Sequence, residues 1–131
     1  MNLFKTNMES TVEHANSYLQ YLELSQKTKM YQAMFAERPI CEKLLGMIAL
    51  ENEAGKPYTV SEIMRLEHLG SPCTIHRRME TLREAGLIAQ VYKNGDRRTK
   101  YLVPTRTASR YFKVMDHVIR QSIAISHSVS A

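Results

Sequence analysis

The stretch from Ser71 to Thr105 constrains the fold most, because it places strong start and stop signals close together. Ser71 and Pro72 have the order of a helix N-cap followed by proline in the first turn. Gly86 can end that helix in the left-handed conformation, with Leu87 as the hydrophobic contact that follows. Apolar residues between these signals recur at helical spacing, namely Ile75, Met79 and Leu82. The stretch therefore begins with a short amphipathic helix.

A two-stranded hairpin is predicted to follow this helix. Residues 87–92 and 99–103 are rich in β-branched and aromatic residues, and the Asn94-Gly95 pair between them is a strong hairpin-turn signal. We place the turn at residues 93–98. Residues 71–113 contain ten lysines and arginines and three acidic residues, for a net charge of +7, whereas the whole chain carries +5. The basic character is thus concentrated here, as in a nucleic-acid footprint.

The residues before Ser71 predict two more helices. Pro39 can open a helix that ends near Gly55 and buries an apolar face that includes Leu44, Leu45 and Ile48. Thr59 and Glu62 have capping-box spacing and predict the start of a short helix. We expect Gly70 to end that helix as a left-handed residue.

Both ends of the chain are predicted to be helical. Residues 9–36 form one long helix or two with a bend, and a last helix runs from about residue 105 or 107 to 126. Its apolar stripe is too wide for one small core, so we expect a homodimer interface covered by the N-terminal helix. The expected interface residues are Tyr18, Leu19, Leu22, Tyr111, Phe112, Met115, Val118, Ile119 and Ile123.

These elements predict a mainly α fold with a small β-hairpin wing, a winged helix-turn-helix with N- and C-terminal dimerisation helices. At 131 residues we expect one domain. Its parts are a helical dimerisation region at about 1–38, the winged helix-turn-helix at 39–104 and a dimerisation helix at 105–131.

Composition narrows the classes of function. A pI near 9.3 permits DNA, RNA or an anionic membrane as partner. Two cysteines suit a reducing compartment, and neither a signal peptide nor a membrane-spanning run is evident, so we expect a soluble, cytoplasmic protein. We find no catalytic constellation, no cofactor motif and no metal-ligand spacing among the histidines and cysteines. An enzyme, a cofactor and a metal site are therefore not expected.

The stretch resembles the winged-helix regulators of the MarR family. Asp96-Arg97-Arg98, five residues and Pro104-Thr105 are similar to the family's wing signature, Asp-x-Arg, five residues and Leu-Thr; Pro104 departs from it. The run from Leu82 to Ile88 resembles the end of the family's recognition helix. The likeness covers about half the chain. It implies a dimeric DNA-binding transcription regulator, usually a repressor, in which Arg98 enters a DNA groove and Asp96 orients it.

The expected contacts with double-stranded DNA follow from the chemistry of the side chains. Arg77 can donate two hydrogen bonds to guanine, hydroxyl and imidazole groups can bond bases or phosphates, and wing arginines can reach a minor groove. The alternatives are a merely solvated helix face and a plain polar turn. The expected DNA-binding residues are Ser71, Thr74, His76, Arg77, Arg78, Thr81, Lys93, Asp96, Arg97, Arg98 and Lys100.

Other interpretations stay open. Cys73 lies near the start of the basic helix, where a redox switch is conceivable, although a small residue tolerated beside DNA is the simpler interpretation. Cys41 is expected in the core. Methionines and tyrosines could line a pocket for a small-molecule effector. A winged helix that binds protein, or one that binds RNA, is the alternative function. The sequence does not distinguish an activator from a repressor, nor does it give the operator.

Overall fold

The computed structural model describes residues 16–29 and 39–130. This part of the chain is mainly helical and contains one two-stranded antiparallel hairpin, as the sequence predicts. The elements in chain order are α1 (Asn16–Lys27), α2 (Pro39–Glu53), α3 (Val60–Met64), a 3₁₀ turn (Glu67–Leu69), α4 (Pro72–Glu84), β1 (Ile88–Lys93), β2 (Asp96–Pro104) and α5 (Arg106–Ser130).

The chain divides into two compact units. The central unit is Met34–Arg110, and the terminal unit combines Met1–Ala33 with Tyr111–Ala131. Within the terminal unit, α1 is the described part of the helical region predicted at 9–36; residues 9–15 and 30–36 of that prediction lie outside the described residues.

The core of the central unit is built where α2, α4 and β2 pack together and α3 covers α4 and β2. Leu44, Leu45 and Ile48 of α2 are fully buried, as their predicted face requires. The stripe predicted on α4 is also buried. Cys41 is buried, as expected. Apolar burial of this kind is the main force that fixes the helices.

Local capping chemistry fixes the helix ends. Thr59 caps α3, and the predicted capping box is confirmed: Glu62 N donates to Thr59 Oγ1 at 3.1 Å, and Thr59 N donates to Glu62 Oε1 at 3.2 Å. After α4, Gly86 has φ +75°, and its N–H donates to the carbonyl of Arg83. Leu87 N donates to Leu82 O at 2.9 Å, which completes a Schellman motif.

One threonine joins the end of α4 to the start of α5. The Thr105 hydroxyl donates to the Gly86 carbonyl and accepts a hydrogen bond from Ala108 N. Thr105 N in turn donates to the carbonyl of Leu87 at 3.0 Å. Thr105 therefore acts as the N-cap of α5 and ties it to the residues that follow α4.

The hairpin differs from its prediction in two ways. The turn is only Asn94-Gly95, with φ +53° and +75°, as a type I′ turn requires. The predicted strand 99–103 was too short, because β2 begins at Asp96 and the expected turn residues Arg97 and Arg98 belong to it. A third short segment, not predicted, pairs with the other side of β2: Thr59 lies opposite Tyr101.

The residues before α4 also differ from the prediction. The helix expected to reach Gly70 ends at Met64, and a separate 3₁₀ turn precedes the glycine. Gly70 has φ +122° and ψ −170°, so it is extended with positive φ and not left-handed helical. This conformation is essentially restricted to glycine. A Cβ on Gly70 would also lie 3.2 Å from Thr74 Cγ2, a tight contact that would add to the backbone strain.

Candidate nucleic-acid interface

The start of α4 is held by its predicted N-cap. Ser71 Oγ accepts a hydrogen bond from Thr74 N at 3.3 Å and donates to Thr74 Oγ1 at 3.0 Å. Pro72 occupies the first turn, as predicted. The hydroxyls of Ser71 and Thr74, both expected DNA contacts, are thus already paired with each other. They hold the helix start in place, and each keeps acceptor capacity for a further bond.

The outward face of α4 presents His76 and Arg77, which are exposed, next to exposed Cys73. Among the described residues, no side chain forms an ion pair or hydrogen bond with the Arg77 guanidinium. The Thr81 hydroxyl donates to the carbonyl of Arg77 at 3.0 Å. Arg77 can therefore direct all of its donors toward a bound molecule.

Arg78 is placed differently from its neighbour. It is half-buried, and its Nη1 donates to the carbonyl of Leu69 at 2.6 Å. That carbonyl belongs to the last residue of the 3₁₀ turn, directly before Gly70. The expected DNA contact at Arg78 thus has a partner within the chain, and the bond connects the second turn of α4 to the bend that precedes it.

Two acids near the basic face, Glu80 and Asp96, are paired with arginines. Arg83 Nη2 donates to Glu80 Oε2 at 2.9 Å, and this hydrogen bond lowers the pKa of Glu80. In the hairpin, Asp96 Oδ1 accepts from Arg98 N at 2.9 Å and from Arg98 Nε at 3.2 Å. The predicted contact between Asp96 and Arg98 is confirmed; what it orients Arg98 toward stays a prediction.

Asp96 is held as a carboxylate. The Arg98 backbone N–H, and then the Arg98 side chain, lower the pKa of Asp96 below its ordinary value. Because the pKa of Asp96 is lowered, its contact with Arg98 is fully present at pH values above the ordinary pKa of an aspartate. The contact is lost only as the pH falls through the lowered pKa. The Arg98 side chain is 91% exposed, so its charge stays available to a partner.

The strand that carries these arginines is irregular. Val91 lies opposite Tyr101 and Lys93 lies opposite Asp96, so β1 has one residue, Tyr92, where β2 has the four residues 97–100. Bulges of this kind re-aim side chains. The Lys93 ammonium lies 4.5 Å from the centre of the Tyr101 ring, a cation–π contact that places this expected DNA-binding residue against the hairpin.

A groove of about 430 Å³ lies beside the bulge. It is lined by Thr59, Val60 and Ser61 from the start of α3 and by Arg98, Thr99 and Lys100 from β2. Arg98 and Lys100 were expected DNA contacts, whereas Thr59 and Ser61 were not. The sequence signals the cap at Thr59, but the pairing that brings it to β2 has no sequence signal. The described lining residues include no methionine or tyrosine, so this groove differs from the effector pocket considered from composition.

The expected interface residues of the terminal unit fall into three groups. Tyr18 and Leu19 are 61% and 40% exposed, and Ile119 and Ile123 are each 46% exposed. Leu22 and Phe112 are half-buried. The third group, Tyr111, Met115 and Val118, is already buried within the chain itself. These side chains are not exposed, so the exposed apolar surface of α5 is narrower than the predicted apolar stripe suggests.

Comparisons with protein families, with curated proteins and with solved structures found no match. Among the described residues, no group of three His, Cys, Asp or Glu side chains is arranged to hold a metal ion. None of the described helices combines the length and the apolar character needed to cross a membrane.

Proposed function

We propose that this protein is a winged helix-turn-helix regulator of transcription that binds double-stranded DNA at a specific sequence, without catalysis. In this proposal α3 and α4 are the helix-turn-helix, α4 is the recognition helix and the β1–β2 hairpin is the wing. The order of elements in the central unit is compatible with that fold. The likeness of Ser71–Thr105 to MarR regulators favours a repressor.

The observation that supports the proposal is that two arginine side chains project from well-defined elements and can contact a partner. Arg77 projects from a helix that is capped at both ends, and Arg98 projects from a strand with an acid that braces it. A helix fits the major groove of DNA, where an arginine can read guanine through two hydrogen bonds. A wing arginine can enter a narrow minor groove, where the negative potential is enhanced.

We propose that a second copy of the chain covers the exposed apolar residues of the terminal unit. Four such residues on α1 and α5, namely Tyr18, Leu19, Ile119 and Ile123, support an interface between copies. A two-fold dimer would set two recognition helices about one DNA turn apart, roughly 34–36 Å. The operator is then pseudo-palindromic.

The first experiment selects bound sequences from random duplex DNA and then measures affinity against salt. We expect one enriched pseudo-palindrome and a log–log salt slope of several units, at ~0.9 for each phosphate contacted. Structured RNA of equal length serves as competitor at the same salt concentration. A nearly flat slope, or preference for the RNA, would contradict the proposal.

The second experiment separates reading of bases from attraction to phosphate. Arg77→Ala should cost about 1–3 kcal/mol of binding free energy on the selected site and much less on random DNA. Arg120→Ala is the matched control, because it removes an exposed arginine that pairs with Asp116 on α5. Equal losses on both DNAs would demote Arg77 to a phosphate contact.

A further inference from the structure

The groove beside β2 brings two cations and three hydroxyls together. Arg98 and Lys100 supply the positive charge, and Thr59, Ser61 and Thr99 supply the hydroxyls. Among the residues that the structure describes, no acidic side chain lines the groove. Arg98, Thr99 and Lys100 are consecutive in β2, although consecutive residues of a regular strand alternate between the two faces.

The fold explains why these residues meet. Leu102 N donates to Tyr58 O at 2.8 Å, and Thr59 lies opposite Tyr101, so the segment before α3 is fixed along β2. The irregular register opposite Tyr92 then disturbs the alternation over residues 97–100. Backbone pairing therefore holds the wall formed by Thr59 and the start of α3 against β2.

The donors in the groove suit a phosphate group. Thr59 Oγ1 accepts from Glu62 N, so its proton remains available to donate. The Arg98 contact with Asp96 uses Nε, so its two terminal nitrogens can donate elsewhere. Charge-assisted hydrogen bonds of guanidinium and ammonium groups to phosphate oxygens are the strong ones, and hydroxyls complete such sites.

We propose that this groove binds a phosphate group, and that the group is a backbone phosphodiester of the DNA contacted by α4 and the wing. Ser61, Arg98 and Lys100 are exposed, so the groove is open and suits a chain that passes along it. The inference rests on the proposed function and extends the interface from the wing to the first turn of α3. It adds Thr59 and Ser61 to the residues that contact DNA.

The test is Ser61→Asp compared with Ser109→Asp, two exposed serines whose substitution changes the net charge equally. An acid in the first turn of α3 favours the helix, so the fold should be retained and both unfolding temperatures should match wild type. We expect Ser61→Asp to weaken duplex DNA binding about tenfold or more at low salt and to lower the salt slope by ~0.9. Ser109→Asp should change neither.

A second measurement identifies the source of the phosphate. Wild type and Ser61→Asp are titrated with inorganic phosphate at constant ionic strength, and backbone amide shifts are followed by NMR. Saturable shifts at 59–61 and 98–100 that Ser61→Asp removes would support a phosphate site. If wild type binds DNA and the two variants bind it equally, the DNA assignment is overturned while the proposed function stands. If wild type binds no duplex DNA, the proposed function fails. If the phosphate titration then also gives no saturable shifts, the proposal that the groove binds phosphate is overturned as well.

Discussion

Arg77 and Arg78 are neighbours in α4, yet the structure gives them different surroundings. Arg78 Nη1 donates to the carbonyl of Leu69 at 2.6 Å, whereas Arg77 is exposed. We therefore predict that Arg78→Ala acts mainly on the bend before α4. Removing the side chain leaves the Leu69 carbonyl without this donor and releases the constraint on Gly70, the residue with φ +122°.

The magnitude follows from the type of bond. A hydrogen bond from a charged donor contributes about 1.5–3 kcal/mol. Arg78 is only half-buried, so water can replace part of the lost bond, and we expect a loss of about 1–2 kcal/mol in the free energy of unfolding. For a chain of this size, that loss lowers the unfolding temperature by ~4–8 °C.

The assay combines thermal unfolding followed by circular dichroism with DNA affinity measured over a range of salt. Arg78→Ala should unfold at a lower temperature than wild type. When DNA binding is measured well below the unfolding temperature of this variant, the dependence of its affinity on salt should equal that of wild type. Arg77→Ala should behave in the opposite way, with unchanged stability and weaker specific binding. Arg120→Ala should change neither, because its ion pair with Asp116 is exposed.

One combination of results would contradict this role of Arg78. If Arg78→Ala unfolds at the wild-type temperature and lowers the salt slope by ~0.9, then Arg78 binds a phosphate and does not brace the bend.

Three further predictions concern the wing, the bend and the interface. Arg98→Ala should weaken DNA binding without lowering the unfolding temperature, and Asp96→Ala should have the same effect more weakly; unchanged affinity in Arg98→Ala would remove the wing from the interface. Gly70→Ala should destabilise the protein by about 1–3 kcal/mol, measured by chemical unfolding, because its backbone conformation is strained for any residue with a Cβ. Ile119→Glu combined with Ile123→Glu should yield folded monomers with a large loss of operator affinity, and a wild-type protein that sediments as a monomer at micromolar concentration would contradict the dimer.

The parts of the fold that the sequence predicted are those set by neighbours along the chain. The cap at Ser71, the box formed by Thr59 and Glu62, the Schellman motif at Gly86 and the Asn94-Gly95 turn each depend on residues at most five positions apart. Their side chains or dihedral angles act on the adjacent backbone, so residue type alone carries the information.

The parts that the sequence missed depend on contacts between distant segments. Pairing of Thr59 with Tyr101 joins residues far apart in the chain, and no propensity of either residue specifies it. The irregular register of β2 is likewise set by how the strand meets both of its neighbours. The groove lies where these two features meet, which is why Ser61 was absent from the predicted site.

The different surroundings of the two arginines of α4 follow from helical geometry combined with the buried stripe. Arg78 is three residues after Ile75 and four before Leu82, and both of these are buried. Residues at those spacings lie on neighbouring positions of one helix face, so the stem of Arg78 runs along the edge of the core. Arg77 lies two residues from Ile75 and two from Met79, on the far side of the helix. The spacing that predicts the core therefore also indicates which arginine can reach the protein's own backbone and which stays exposed, once the position of the Leu69 carbonyl is known.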